Sequence, residues 1–182
     1  IYVKIIKGNS DIIPKSNYNI VTIGFFDGVH KGHKKILKTL VNKALINKGK
    51  SIVITFWPHP RSILNQNEDL KFLSTLQEKI QALEKIGIDY LYMINFSLRF
   101  SKMKAEDFIK NILENKLRTD CLVIGYNHHF GYKREGNTEY LKKHINELNF
   151  NLETIPKQQI NQSVISSTKI RSYLSEGKIH LS

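Results

Sequence analysis

The chain has 182 residues, 41% of them hydrophobic, and 28 lysines and arginines stand against 16 aspartates and glutamates for a formal net charge of +12. That length fits one compact α/β domain with a real core, and no apolar run approaches the roughly 18 residues that span a bilayer. The positive excess suits an anionic partner, but the lysines are scattered over helices without a basic run or nucleic-acid motif, so a small nucleotide steered by the field fits better than a nucleic acid.

No charged-then-apolar signal segment opens the sequence. The first residue is Ile1, so the numbering is expected to begin inside a longer reading frame or after processing. The single cysteine, Cys121, sits in the apolar run Cys121-Leu122-Val123-Ile124 and reads as a small core residue. With no partner for a disulfide within the chain, a reducing cytoplasm is expected.

In chain order, residues 2–6 read as a short strand and a polar loop follows to Asn19. Ile20-Val21-Thr22-Ile23 reads as a buried strand. Next comes Gly24-Phe25-Phe26-Asp27-Gly28-Val29-His30-Lys31-Gly32-His33, and a helix is predicted over 31–47, its apolar positions Ile36, Leu37, Leu40, Val41, Ala44 and Leu45 spaced for one face. Residues 52–56 form the next strand, stopped by Trp57-Pro58-His59-Pro60. Residues 61–72 lack a period and are expected to form a mobile excursion. Ser74 with Gln77 has the form of a capping box, opening a helix through Leu76, Ile80, Leu83 and Ile86 that Gly87 closes. A strand at 90–94, a helix around Phe108 to Leu113, a strand at 122–124, a helix over 137–148, a strand at 150–155 and a terminal helix at 168–174 complete the pattern. Alternating buried strands and amphipathic helices predict a parallel, doubly wound, Rossmann-like sheet, with ligands beyond the carboxyl ends of its strands.

The strand-to-helix junction at 24–33 carries the clearest chemistry. Glycines there permit tight turning and close ligand approach, and the first turn of the helix directs unpaired N–H groups at an anion. His30 and His33, three apart, share one side of that turn. Three further segments fall at strand or helix ends. Trp57-Pro58-His59-Pro60-Arg61 presents an imidazole and a guanidinium on a stiff turn. Gly125-Tyr126-Asn127-His128-His129-Phe130-Gly131 offers rings and an amide that could read a flat heterocycle. Ser166-Ser167-Thr168-Lys169-Ile170-Arg171 places hydroxyls and cations at a helix start, a second clamp for a polyphosphate. Each alone could be an ordinary turn or cap, so their convergence on one crevice is the central expectation. Adjacent His128 and His129 point to opposite faces of an extended chain and lack a third ligand, so no metal site is assigned. There is no Walker loop, dinucleotide fingerprint or nucleophile elbow.

These four motifs, in this order and at these separations, resemble the FMN adenylyltransferase (FAD synthetase) module of prokaryotic bifunctional riboflavin kinase/FAD synthetases. The likeness runs from the strand before Gly24 to Gly177. It implies a nucleotidyltransferase that moves AMP from ATP to FMN, yielding FAD and pyrophosphate, with Mg²⁺ carried by ATP. By resemblance, His30, His33 and Arg171 are the catalytic residues, and Gly24, Phe25, Phe26, Asp27, Gly32, Ser167 and Thr168 bind ATP. Pro58, His59, Pro60, Arg61 and Asn127 bind FMN, with 61–72 as a candidate lid. Trp57, Lys104, His129 and Lys169 depart from the family's usual residues. The chain is expected to be this single domain over 1–182, without the riboflavin kinase module, which is too large for the residues after the last helix. Other transferases of the superfamily, acting on phosphopantetheine or nicotinate mononucleotide, and a non-catalytic flavin- or nucleotide-binding regulator are the alternatives.

Overall fold

A computed structural model describes residues 2–8, 13, 16–64, 71–157, 159–160, 163–164 and 166–178. Six strands form one parallel sheet: β1 (Lys4–Lys7), β2 (Asn19–Ile23), β3 (Lys50–Trp57), β4 (Tyr90–Asn95), β5 (Cys121–Gly125) and, after a short antiparallel pair β6 (His129–Phe130) and β7 (Gly136–Asn137), β8 (Asn151–Ile155). Their order is β1-β4-β3-β2-β5-β8. From β2 the chain builds outward through β3 to β4, then returns to place β5 on the other side of β2. The reversal between β2 and β5 is the topological switch point, where an open parallel sheet offers a crevice at its carboxyl edge.

Both faces of the sheet are covered, so the strands alternate between two cores rather than between core and water. Ile20, Val53, Leu91, Cys121 and Val123 pack with Leu37, Leu40 and Leu83 from α1 (Lys31–Ile46) and α3 (Leu76–Ile86). Val21, Ile52, Ile54, Tyr92, Leu122 and Ile124 pack on the opposite face with Phe108, Ile112 and Leu113. These three belong to a helix that begins as a single α-helical turn, Ala105–Phe108, here α4, and continues with π geometry over Ile109–Lys116. None of the described helices is long and apolar enough to cross a membrane.

Several local expectations need correction. The cap of α3 is Thr75, not Ser74: its Oγ1 accepts from the Glu78 N–H at 3.2 Å, and Glu78 Oε2 accepts from the Thr75 N–H at 2.8 Å. Ser74 is drawn away because its N–H and hydroxyl both bond Asp27. Pro60–Leu64 forms a short helix, α2, where an irregular excursion was expected; residues 65–70 lie outside the described residues. The helix expected over 137–148 is only α5 (Thr138–Lys143), followed by a 3-10 turn over Ile145–Glu147. The last helix, α6 (Ser167–Ser175), starts at the Ser166 cap, which accepts from the Lys169 N–H at 3.3 Å.

Thr75→Ala should cost about 1 kcal/mol by loss of the reciprocal cap, and Gln77→Ala should cost almost nothing. Urea unfolding of the two variants checks this, and equal losses would return the cap to Ser74.

Candidate active site

The turn between β2 and α1 is held in a conformation that its residues would not choose alone. Phe26 and Val29 sit at φ 52° and 36°, beside Gly28 at 72°. Non-glycine residues reach this region only when their surroundings over-determine it. Here the surroundings converge on Asp27, 2% exposed. Its carboxylate accepts from the N–H groups of Leu73 and Ser74 at 3.0 Å each, from the Ser74 hydroxyl, and from Arg171 in a close ion pair. Burial pushes the Asp27 carboxyl up, but the Leu73 N–H, Arg171 and Ser74 together hold it below its ordinary value. The Asp27 carbonyl accepts the Ser167 hydroxyl at 3.1 Å. The turn after β2 and the start of α6, 140 residues apart, are thus tied at one residue. Gly24 leaves room for the Phe26 ring, which would lie 2.8 Å from a Cβ there.

His30 caps α1, its Nδ1 accepting from the His33 N–H at 3.3 Å. The neutral ring therefore carries its proton on Nε2, which remains a donor. The two imidazoles stack with centroids 3.6 Å apart. Burial, the neighbouring His30 and Lys79 drive the His33 pKa to about 3, and burial also lowers His30. Both rings are consequently neutral hydrogen-bonding groups near pH 7, not resident cations.

These histidines line a cleft of about 360 Å³ at the carboxyl ends of β2 and β5. Gly24, Phe25, Phe26 and Gly32 form one side of it, Gly125, Tyr126 and Asn127 another, and Ser166 and Ser167 close it. Two smaller cavities adjoin. One, of about 170 Å³, is lined by His59, Arg61, Asp27 and Arg171; the other, of about 340 Å³, by Trp57, Phe72, Leu73 and Lys79. Phe25 lines all three, and its ring meets His59 edge-on at 3.8 Å.

The placement of the expected residues is uneven. His30, His33, Gly24, Phe25, Phe26, Gly32 and Ser167 share the cleft. Asn127 lines this same cleft instead of lying with His59 and Arg61, which face the small cavity. Pro58 and Pro60 flank His59 and line none of the three cavities. Arg171 is occupied by Asp27 and donates Nε to the Lys71 carbonyl at 2.8 Å. Thr168 is exposed on α6 and outside the cleft lining.

Two residues escaped the sequence reading. Arg134 is carried onto the cleft by the β6–β7 return, a tertiary effect with no local signal. Lys79 is 2% exposed, with Nζ 3.7 Å from the Phe25 centroid. A signal existed for it, because position 79 falls on the apolar face of α3 between Leu76 and Leu83, three and four residues away. Among the described residues no cluster of three or more histidine, cysteine or acidic side chains could hold a metal.

The buried imidazoles make stability depend on pH. Burial lowers His33 to about 3 and His59 and His128 to about 4. Between those values and the ordinary 6.5 the unfolded chain binds more protons, so stability rises with pH across that window and is lost below it. The lowered Asp27 acts in the same direction. His128, whose Nε2 is buried without a partner among the described residues, stacks on Phe130 at 5.9 Å. His128→Phe should stabilise the fold by about 1 kcal/mol and flatten its pH dependence below 6.5. Urea unfolding at pH 5 and pH 7 checks this; an unchanged difference between the two pH values would contradict it.

Comparison with known proteins bears on the chain as a whole. The FAD synthetase family model matches residues 12–169. A bifunctional riboflavin kinase/FMN adenylyltransferase of Buchnera aphidicola subsp. Schizaphis graminum is 38% identical over 98% of this chain and 57% of its own length. One from Listeria monocytogenes is 33% identical over 88% of this chain and 51% of its own. The chain thus spans little more than half the length of these relatives. The crystal structure of a macrolide-efflux protein from Streptococcus pneumoniae superposes with a TM-score of 0.85 at 26% identity, covering 98% of this chain and 67% of that one. By a match that extends from before β2 into α6, this chain belongs to the FAD synthetase family.

Proposed function

We propose that the chain transfers the adenylyl group of ATP to the phosphate of FMN, forming FAD and pyrophosphate. The observation that carries this reading is that two helix starts face one cleft: the His30–His33 turn and Ser166–Ser167 line it together. A phosphate oxygen of FMN attacks the α-phosphorus of ATP in line, the bond from that phosphorus to the β-phosphate bridging oxygen breaks, and pyrophosphate leaves with the electron pair. Such a displacement needs positioning and neutralisation of charge rather than a protein nucleophile.

In this reading the N–H groups at the start of α1, with the Nε2 donor of His30, meet the phosphate chain. The His33 ring donates a second N–H on the same turn, Gly32 keeps the backbone open there, and the Ser166 hydroxyl approaches from α6, while the Ser167 hydroxyl ties that helix start to the Asp27 carbonyl. Arg134 supplies permanent positive charge at the rim. Gly24, Phe26 and Asn127 belong to the ATP side, which moves Asn127 from the acceptor to the donor. Arg171 fixes the turn through Asp27 rather than gripping phosphate, and Thr168 supports the helix start. The acceptor enters from the side of Pro58, His59, Pro60, Arg61 and Trp57. Mg²⁺ arrives with ATP as part of the substrate, since the carboxylates of the adjoining cavities are already engaged, Asp27 by its donors and Glu78 by the Thr75 cap. The buried, free Cys121 thiol fits a reaction in the reducing cytoplasm.

Incubation with ATP, Mg²⁺ and FMN should yield FAD and pyrophosphate in equal amounts. Phosphopantetheine and nicotinate mononucleotide should not replace FMN; turnover with either in place of FMN would overturn the acceptor assignment. His33→Ala should lower kcat by roughly 10²–10³, the scale of one lost transition-state donor. A variant with near-normal FAD output would remove His33 from the mechanism.

A further inference from the structure

Lys79 is a buried cation without a counter-ion. Among the described residues it enters no ion pair, and burying an uncompensated ammonium is costly enough that such groups are kept for an anion or lose their proton. The charged and titratable groups around it come from four other parts of the chain. Asp27, on the turn after β2, is the group that supports its charge, and Arg171 of α6 already neutralises that carboxylate. His33 of α1 and His59 beyond β3 are both pushed toward neutrality, in part by Lys79 itself. On α3, the adjacent Glu78 is turned back to the Thr75 cap.

The position of that charge matters. Nζ lies over the face of Phe25, the ring at which the large cleft and both smaller cavities meet. An acceptor phosphate that attacks a nucleotide in the cleft must pass this junction, whichever side cavity holds its ring. Arg61, the other cation there, is exposed and its charge is screened by water, whereas a charge in a dry wall acts over several ångströms with little screening. We propose that Lys79 is a specificity-determining residue whose fixed positive charge, set beneath Phe25, makes the acceptor subsite select a phosphorylated flavin over the uncharged one. This rests on FMN being the acceptor.

Burial holds the Lys79 pKa to about 8, so the charge is present at neutral pH and fades above it. The test compares binding of FMN and riboflavin to the intact chain by fluorescence quenching. The wild-type protein should prefer FMN by about tenfold at pH 7, and that preference should shrink severalfold by pH 9 as Lys79 loses its proton. Lys79→Met should lose most of the preference while holding riboflavin as before, and Lys79→Arg should keep it at both pH values. A role confined to packing would weaken both flavins together. A wild-type preference that stays constant from pH 7 to pH 9, or survives in Lys79→Met, overturns the proposal, and the first arm decides it even if Lys79→Met does not fold. If neither flavin binds and no FAD forms, the functional reading fails, and the inference with it. FAD formation with an unaltered preference sinks this inference alone.

Discussion

The carboxylate of Asp27 joins three parts of the chain that would otherwise be independent: the turn leaving the second strand, the lead-in to α3, and the last helix. Its four donors come from Leu73, Ser74 and Arg171, while its own carbonyl receives Ser167. A buried carboxylate is stable only with such saturation. The saturation in turn holds Phe26 and Val29 in backbone conformations that cost roughly 1–3 kcal/mol each. The shape of the anion cleft is therefore not a property of the histidine turn alone. It is maintained through Asp27, within that turn, by donors from Leu73, Ser74 and Arg171 far along the chain.

This division of labour changes the electrostatic picture of the site. A basic chain carrying +12 suggests a cleft crowded with cations, yet the groups closest to the turn are neutral or already paired. Burial, and for His33 also the neighbouring His30 and Lys79, keeps both imidazoles uncharged, and Arg171 is committed to Asp27. What remains for an anion in the proposed reading is N–H groups at two helix starts, the Ser166 hydroxyl, the rim guanidinium of Arg134, and Lys79 in the wall. Fixed dipoles of this kind favour charge spread over phosphate oxygens without needing to reorganise as the reaction proceeds.

Much of this was legible in the order of residues. The strands appear as apolar runs because both faces of a parallel sheet are buried, and α1 and α3 show the 3.6-residue period because each covers one face. The convergence of the 24–33, 125–131 and 166–171 segments follows from the rule that ligands collect at the carboxyl edge. What the sequence withheld depends on distant partners. Ser74 looked like a cap until Asp27 claimed its hydroxyl and N–H. Nothing local reveals that Arg171 pairs with Asp27, 144 residues away. Arg134 reaches the cleft only through the fold-back of β6 and β7. Lys79 was visible as a charge on an apolar stripe, a pattern that is easily passed over as solvated surface.

The central claim is that one nucleotide tail is held from two sides, by the start of α1 and by the start of α6, across the switch point of the sheet. A crystal structure of the chain with a non-hydrolysable ATP analogue tests it most directly. The account predicts the triphosphate lying between the His30–His33 turn and Ser166–Ser167, with the Asp27–Arg171 pair intact behind it. A triphosphate bound elsewhere, or held by the α1 turn while α6 stays uninvolved, would contradict it.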